Sequence, residues 1–254
     1  MKKIFYSALA FAMIACNSPK ADEEIVMGGT IDISVTRSEE VTDGATDGTT
    51  EGRLIIDTPT AEDLKLDVIG QEQTYSWTTL AEFKSEISRG LTFKAAPYTV
   101  ILSHGEKGVE GYSKPYFEGS CEIEVPGYGL SAKAEVVVAL ANSIVAIATT
   151  SNFDGYFQQQ TFKVITENSK EGIEWNAESE EMLFLNAGAA TIKCVVVKPS
   201  GNEQTITFDV ELKAQTRHTV VFDLPNAGSA EFTVKFDGEI VDYVNSDFEM
   251  NDNA

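Results

Sequence analysis

"AKAEVVVALANSIVAIAT", residues 132–149, is apolar along almost its whole length, interrupted by Ala141-Asn142-Ser143. An ordinary strand holds about 5–6 residues, so this run is too long for one. The polar, turn-prone break divides it. A domain boundary is therefore expected there, with one strand closing a first domain at 28–141 and the next opening a second at 142–250.

Period-2 alternation recurs on both sides of this run, at 53–57, 64–69, 92–93 with 98–103, 116–125, 160–165, 172–176, 182–185, 190–198, 205–213, 218–224 and 230–236. These segments are short and separated by Gly, Asn, Asp and Ser, the pattern of antiparallel sandwiches. The expected fold class is all-β, two tandem antiparallel β-sandwiches. A single stretch has helical character: Thr79-Leu80-Ala81-Glu82 can form a capping box, with Leu80, Phe83 and Ile87 on one face. Upstream, Ile31, Ile33 and Val35 alternate with polar neighbours as a half-buried strand. Residues 38–52 are turn formers and acid, and a flexible loop is expected there. Its Asp43-Gly44 and Asp47-Gly48 pairs lack the spacing and bidentate Glu of a calcium loop.

The N-terminus carries an address. Lys2 and Lys3 precede an apolar run, Ile4 to Ala15, that ends at Cys16. A spanning helix needs about 20 apolar residues, so the run has the length of a secretory signal instead. Met13-Ile14-Ala15-Cys16 resembles a bacterial lipobox, with Met13 where Leu is usual. The resemblance implies a signal peptide at 1–15 and a lipidated Cys16 opening a tether at 16–27. Several acyl chains on one cysteine would exceed the two-chain requirement for stable anchoring. The following Lys20-Ala21-Asp22-Glu23-Glu24 resembles the tract behind the lipid cysteine of surface-displayed lipoproteins in Bacteroidetes.

Charge limits the partners. The chain has 40 Asp and Glu against 19 Lys and Arg, a formal charge of −21, and loss of Lys2 and Lys3 takes it to −23. That excludes nucleic acid, which needs cations to neutralise phosphate, and a polybasic membrane contact. It suits a soluble, self-repelling surface. Cys121 shares a strand face with Phe117, Ile123 and Val125; Cys194 shares one with Ile192 and Val196. Both fit the core, and a disulfide between them, although allowed in an exported protein, would have to join two domains.

Three further stretches carry a family resemblance: Pro97-Tyr98-Thr99-Val100-Ile101-Leu102-Ser103, then Lys114-Pro115-Tyr116-Phe117-Glu118-Gly119-Ser120, then Val136-Val137-Val138-Ala139-Leu140-Ala141-Asn142-Ser143-Ile144-Val145. Together they resemble a Bacteroidetes surface lipoprotein family catalogued as a domain of unknown function and related to fimbrillin-like adhesins and pilins. Ala96-Pro97 departs from the Gly usual before the tyrosine. The resemblance implies two sandwiches of immunoglobulin- or transthyretin-like type behind a lipid anchor. It also implies localisation at the outer membrane facing the cell exterior, and a role in adhesion or as a fimbria-associated tip, anchor or accessory subunit.

Catalytic chemistry is not legible. His104 and His218 are far apart, and both are expected at the surface. No Gly-x-Ser-x-Gly elbow, zinc spacing or phosphate loop occurs, and forty carboxylates make accidental acid pairs inevitable. No enzyme activity, metal or cofactor is expected. For glycan contact Trp77, in Tyr75-Ser76-Trp77, is the leading candidate, with Phe153-Asp154-Gly155-Tyr156-Phe157 and Trp175 behind it; sandwich packing is the alternative use of these rings. A surface glycan-binding lipoprotein is thus the rival function. The strand ending at Arg37 is a candidate processing site, because in fimbrillin-like pilins cleavage after a basic residue frees a groove for a partner's strand. The acidic C-terminus, with Tyr243, Val244 and Phe248 as its few apolar residues, makes a poor donor strand.

Overall fold

A computed structural model describes residues 28–44, 54–157, 159–225 and 231–245. Cys16, the signal peptide, the tether and Asp47 lie outside the described residues. The first nine strands are β1 (Thr30–Arg37), β2 (Glu40–Asp43), β3 (Leu54–Ile55), β4 (Lys65–Gly70), β5 (Thr74–Trp77), β6 (Ala96–His104), β7 (Gly111–Tyr112), β8 (Phe117–Val125) and β9 (Ser131–Leu140). Then come β10 (Asn142–Thr149), β11 (Gln159–Thr166), β12 (Ile173–Glu174), β13 (Leu183–Asn186), β14 (Gly188–Val197), β15 (Glu203–Leu212), β16 (Thr216–Asp223), β17 (Glu231–Phe236) and β18 (Glu239–Asn245). Two α-helices, α1 (Leu80–Ser88) and α2 (Ser151–Tyr156), interrupt them.

The fold is all-β. The first sheet has the order β1-β9-β8-β6-β4-β5. Alternation sends Leu66 and Val68, Tyr98, Val100 and Leu102, and Ala134, Val136 and Val138 to one buried face. The same apolar cluster takes in Leu80 and Phe83 of α1, together with Phe93, Val41 and Ile56. α1 begins where its caps predict. Thr79 Oγ1 accepts from Glu82 N–H at 3.2 Å, and Glu82 Oε2 reaches back to Thr78 N–H at 3.1 Å.

The second half is two facing sheets. One has the order β12-β11-β14-β15; the other runs β18-β17-β16-β10-β13-β7. Phe162, Val164, Ile192, Cys194, Val196 and Val210 from one meet Val145, Leu185, Val220, Phe222, Phe232 and Val234 from the other. Phe153 and Phe157 of the α2 segment join this cluster, where they pack against Phe232. These aromatics are therefore core side chains.

The flexible-loop expectation is corrected at its start, and further features add to the sequence reading. Residues 40–43 are strand β2, not flexible loop, because Val41 is fully buried and gives an acidic segment an anchor in the core. Residues 239–245 form β18, joined to β17 by Asp237-Gly238 with φ of 50° and 84°, the left-handed pair a tight hairpin turn requires. Ladders β1–β9, β10–β16 and β2–β16 are parallel, among otherwise antiparallel pairs. Cys121 and Cys194 are both free thiols, and burial pushes Cys194 up to about 12.

Candidate functional site

The segments that carry the family resemblance meet one another. β9 ends in the first sheet and β10 begins in the second, so the chain crosses between them at Ala141. Tyr116 C=O accepts from Ala141 N–H at 2.8 Å. Phe117 pairs with Leu140, and Tyr116 N–H donates to Asn142 Oδ1. Asn142 is only 1% exposed, and its C=O accepts from Gln215 N–H at 2.9 Å. Ser143 Oγ donates to Lys213 C=O at 2.7 Å. Buried polar groups of this kind need partners; Asn142 Oδ1 and C=O and Ser143 Oγ find them in both halves of the chain, while Asn142 Nδ2 has none among the described residues.

Gly119 completes the crossing. A Cβ there would stand 2.2 Å from Val137 C=O, so the close approach of β9 requires glycine. Gly119→Ala is expected to cost about 1–3 kcal/mol through overpacking, measurable as a lowered urea midpoint. Beside it, Tyr116 Oη donates to Glu118 Oε2, and Lys107 Nζ lies 2.9 Å from the same carboxylate. Burial first, then the Glu118 bond, raises the Tyr116 phenol well above its usual range. Burial alone would raise Glu118, but the Tyr116 and Lys107 contacts outweigh it and hold the carboxylate below the usual range.

The two halves are laced further. β7 from the 105–116 connection pairs with β13, and β2 pairs with β16. Glu110 accepts from Asn186 N–H at 2.9 Å and from Thr166 Oγ1 at 2.5 Å. Tyr112 Oη accepts from Asn176 N–H at 2.7 Å and tilts against Trp175. At the end of β2, Gln215 Nε2 donates to Ser38 Oγ and Glu40 C=O at 2.8 and 2.9 Å.

His218, expected at the surface, is instead 1% exposed. Its Nε2 accepts from Lys213 N–H at 2.8 Å, so Nδ1 carries the proton and donates to Asp237 Oδ2 at 2.6 Å. The ring stacks on Phe236 at 5.0 Å. Asp237 Oδ1 accepts from Thr219 N–H at 2.9 Å. No nucleophile joins this pair among the contacts of the described residues, and the pair fixes the β17–β18 turn to β16.

Trp77 is 9% exposed. It packs edge-on against Phe83 at 5.0 Å, lies parallel to Tyr75 at 6.2 Å, and donates Nε1–H to Glu86 Oε2 at 2.9 Å. It also borders an open cleft of about 350 Å³ with Lys65, Ser76, Ser103 and His104. Arg37 is exposed at the end of β1, with Nη1 donating to Pro59 C=O at 3.2 Å. β1 is an outer strand of the first sheet, and Ile31 and Ile33 fill its core. The structure therefore separates Trp77 and Arg37. It gives partners to Glu110, Asn186 and Asp237, which the sequence reading missed, and to Asn142, which it quoted only as a turn-prone break and as part of the resemblance. Asn142 could have been found as the one amide inside a long apolar run; the other three partners are set by topology.

The architecture defines a class: an all-β protein whose chain passes from one sheet to the next at Ala141, between β9 and β10. The model of the family described as Domain of unknown function (DUF4493) matches residues 29–252, and the chain belongs to that family. No curated protein matches the chain. Among solved structures, a candidate cell adhesion protein from Bacteroides eggerthii is similar at 10% identity and TM-score 0.41, covering 83% of this chain and 94% of that one. A candidate polysaccharide-binding protein from Bacteroides thetaiotaomicron is similar at 8% identity and TM-score 0.41, covering 84% and 97%. A candidate adhesin from Bacteroides ovatus is similar at 11% identity and TM-score 0.40, covering 86% and 94%. Likeness at this level fixes neither ligand nor partner.

Proposed function

We propose that this protein is a non-enzymatic, lipid-anchored surface protein of the outer membrane, acting in adhesion or as a tip, anchor or accessory subunit of fimbriae. The observation that carries this is the placement of β1. It is an edge strand held by one parallel ladder, with Thr30 opposite Ser131 and Arg37 opposite Val138, and two of its side chains lie in the core. It ends at an exposed arginine. Cleavage after Arg37 would release β1 together with Cys16 upstream of it, so the chain is lipid-anchored until it is cut; it would leave β9 with an open edge and vacated core positions, a receptor for a partner's strand. The crossing network is occupied in joining the two halves, and the His218–Asp237 pair in tying the β17–β18 turn to β16, which supports the non-enzymatic reading.

The glycan-binding reading rests on the cleft beside Trp77. The indole bordering that cleft is 9% exposed and packed against Tyr75 and Phe83, so stacking a sugar on it requires rearrangement.

The anchor is tested by Cys16→Ser. With the acyl chains lost, nearly all the protein is expected to move from the membrane pellet to the soluble fraction. Equal recovery of mutant and wild type with the outer membrane would contradict the anchor.

A further inference from the structure

The turn between β8 and β9 displays apolar side chains at the end of the first sheet remote from the crossing. In Pro126-Gly127-Tyr128-Gly129-Leu130, Tyr128 is 74% exposed and Leu130 60%. Tyr128 has φ of 61° and Gly129 of 74°. Left-handed backbone is unusual for a bulky side chain, and Gly or Asn would take it at less cost. Neither local geometry nor the core explains an aromatic there.

The same turn receives the start of the described chain. Gly129 N–H donates to Gly28 C=O at 3.0 Å, and Thr30 N–H donates to Leu130 C=O at 2.9 Å. β1 and β9 then run parallel away from this end. At about 3.3 Å per residue, the length of β9 puts the crossing at Ala141 roughly 30 Å from the turn. Cys16 lies twelve residues before Gly28, and that much chain can span at most about 40 Å.

We propose that the Tyr128–Leu130 turn is a membrane-contact tip that rests in the bilayer interface beside the acylated cysteine. This inference rests on the reading of Cys16 as the lipid anchor. A tyrosine ring with a polar hydroxyl suits the boundary between head groups and acyl chains, and Leu130 adds an apolar contact beside it. The chain that begins at the acylated cysteine has lost Lys2 and Lys3 and carries a net charge of −23, so the contact is apolar rather than electrostatic and is insensitive to salt. The tip turns the first sheet toward the membrane and the crossing and second half away from it.

The test uses the acylated full-length chain carrying Tyr128→Trp, in zwitterionic phosphatidylcholine vesicles with brominated acyl chains. The fluorescence of the added indole is expected to fall about twofold relative to unbrominated vesicles, equally at about 0.05 and 0.5 M salt. The same measurement with Thr207→Trp, on β15 of the second half, is expected to show no loss. Vesicle flotation separates the two readings. Protein that floats without quenching at position 128 overturns the tip and leaves the anchor standing; protein that does not float overturns the anchor and the tip with it. Concentration-dependent dimers of the Cys16→Ser chain, abolished by Leu130→Asp, would assign the turn to a second copy and overturn the membrane contact.

Discussion

Trp77→Ala is expected to lower stability by about 3–5 kcal/mol without changing affinity for any polysaccharide. The indole sits among Tyr75, Phe83 and Phe93, and its Nε1–H holds Glu86 on α1. Truncation opens a cavity between the β5 edge and the helix, and leaves Glu86 without that donor. Trp77→Phe keeps most of the volume and is expected to recover much of the loss. Chemical unfolding of both variants, with a polysaccharide titration alongside, measures the effect. A Trp77→Ala protein of unchanged stability that loses glycan binding would place this side chain in a ligand site and promote the glycan-binding reading.

A comparable loss is expected at the β17–β18 turn. Asp237→Ala removes the acceptor of both His218 Nδ1–H and Thr219 N–H. Each orphaned donor costs about 1–3 kcal/mol, so the variant is expected to lose about 2–6 kcal/mol. It also places alanine at φ of 50°, where aspartate and asparagine are tolerated far better. Asp237→Asn keeps a side-chain acceptor and the turn preference and should lose less than half as much. Equal losses in the two variants, measured by urea unfolding, would show that the network around His218 contributes little.

The fold was legible to the extent that alternation and turn chemistry determine it. Tyr98, Val100 and Leu102 point into one core, as their spacing predicts, and Cys194 lies between buried Ile192 and Val196. Thr79 and Glu82 cap α1 as the motif requires. Parallel pairing was not legible, because a strand alternates identically in parallel and antiparallel ladders, and only hairpin turns specify direction between neighbours. β1 meets β9, and β10 meets β16, across long intervening segments that carry no such signal. β2 was hidden for a different reason: acid and glycine dominate its surroundings, and Val41 is its one buried side chain.

The candidate sites show a similar division. His218 reads as a surface residue when only Arg217 beside it is considered. Burial follows from the β17–β18 turn, which brings Asp237 to it from nineteen positions away. Tyr116, Gly119 and Asn142 carried the family resemblance without a visible purpose in the sequence. Their shared position at the crossing shows what the motif does physically: it joins two sheets through buried hydrogen bonds and one close backbone approach.

Protease treatment of intact cells is the most direct test of the surface, lipid-anchored reading. Cells displaying the wild-type chain are treated with trypsin and then probed for the full-length protein, with a periplasmic marker confirming that the envelope stayed closed. The chain is expected to be cut in intact cells while the marker survives. Full protection in intact cells, with cleavage appearing only after lysis, would contradict surface display and place the protein behind the outer membrane.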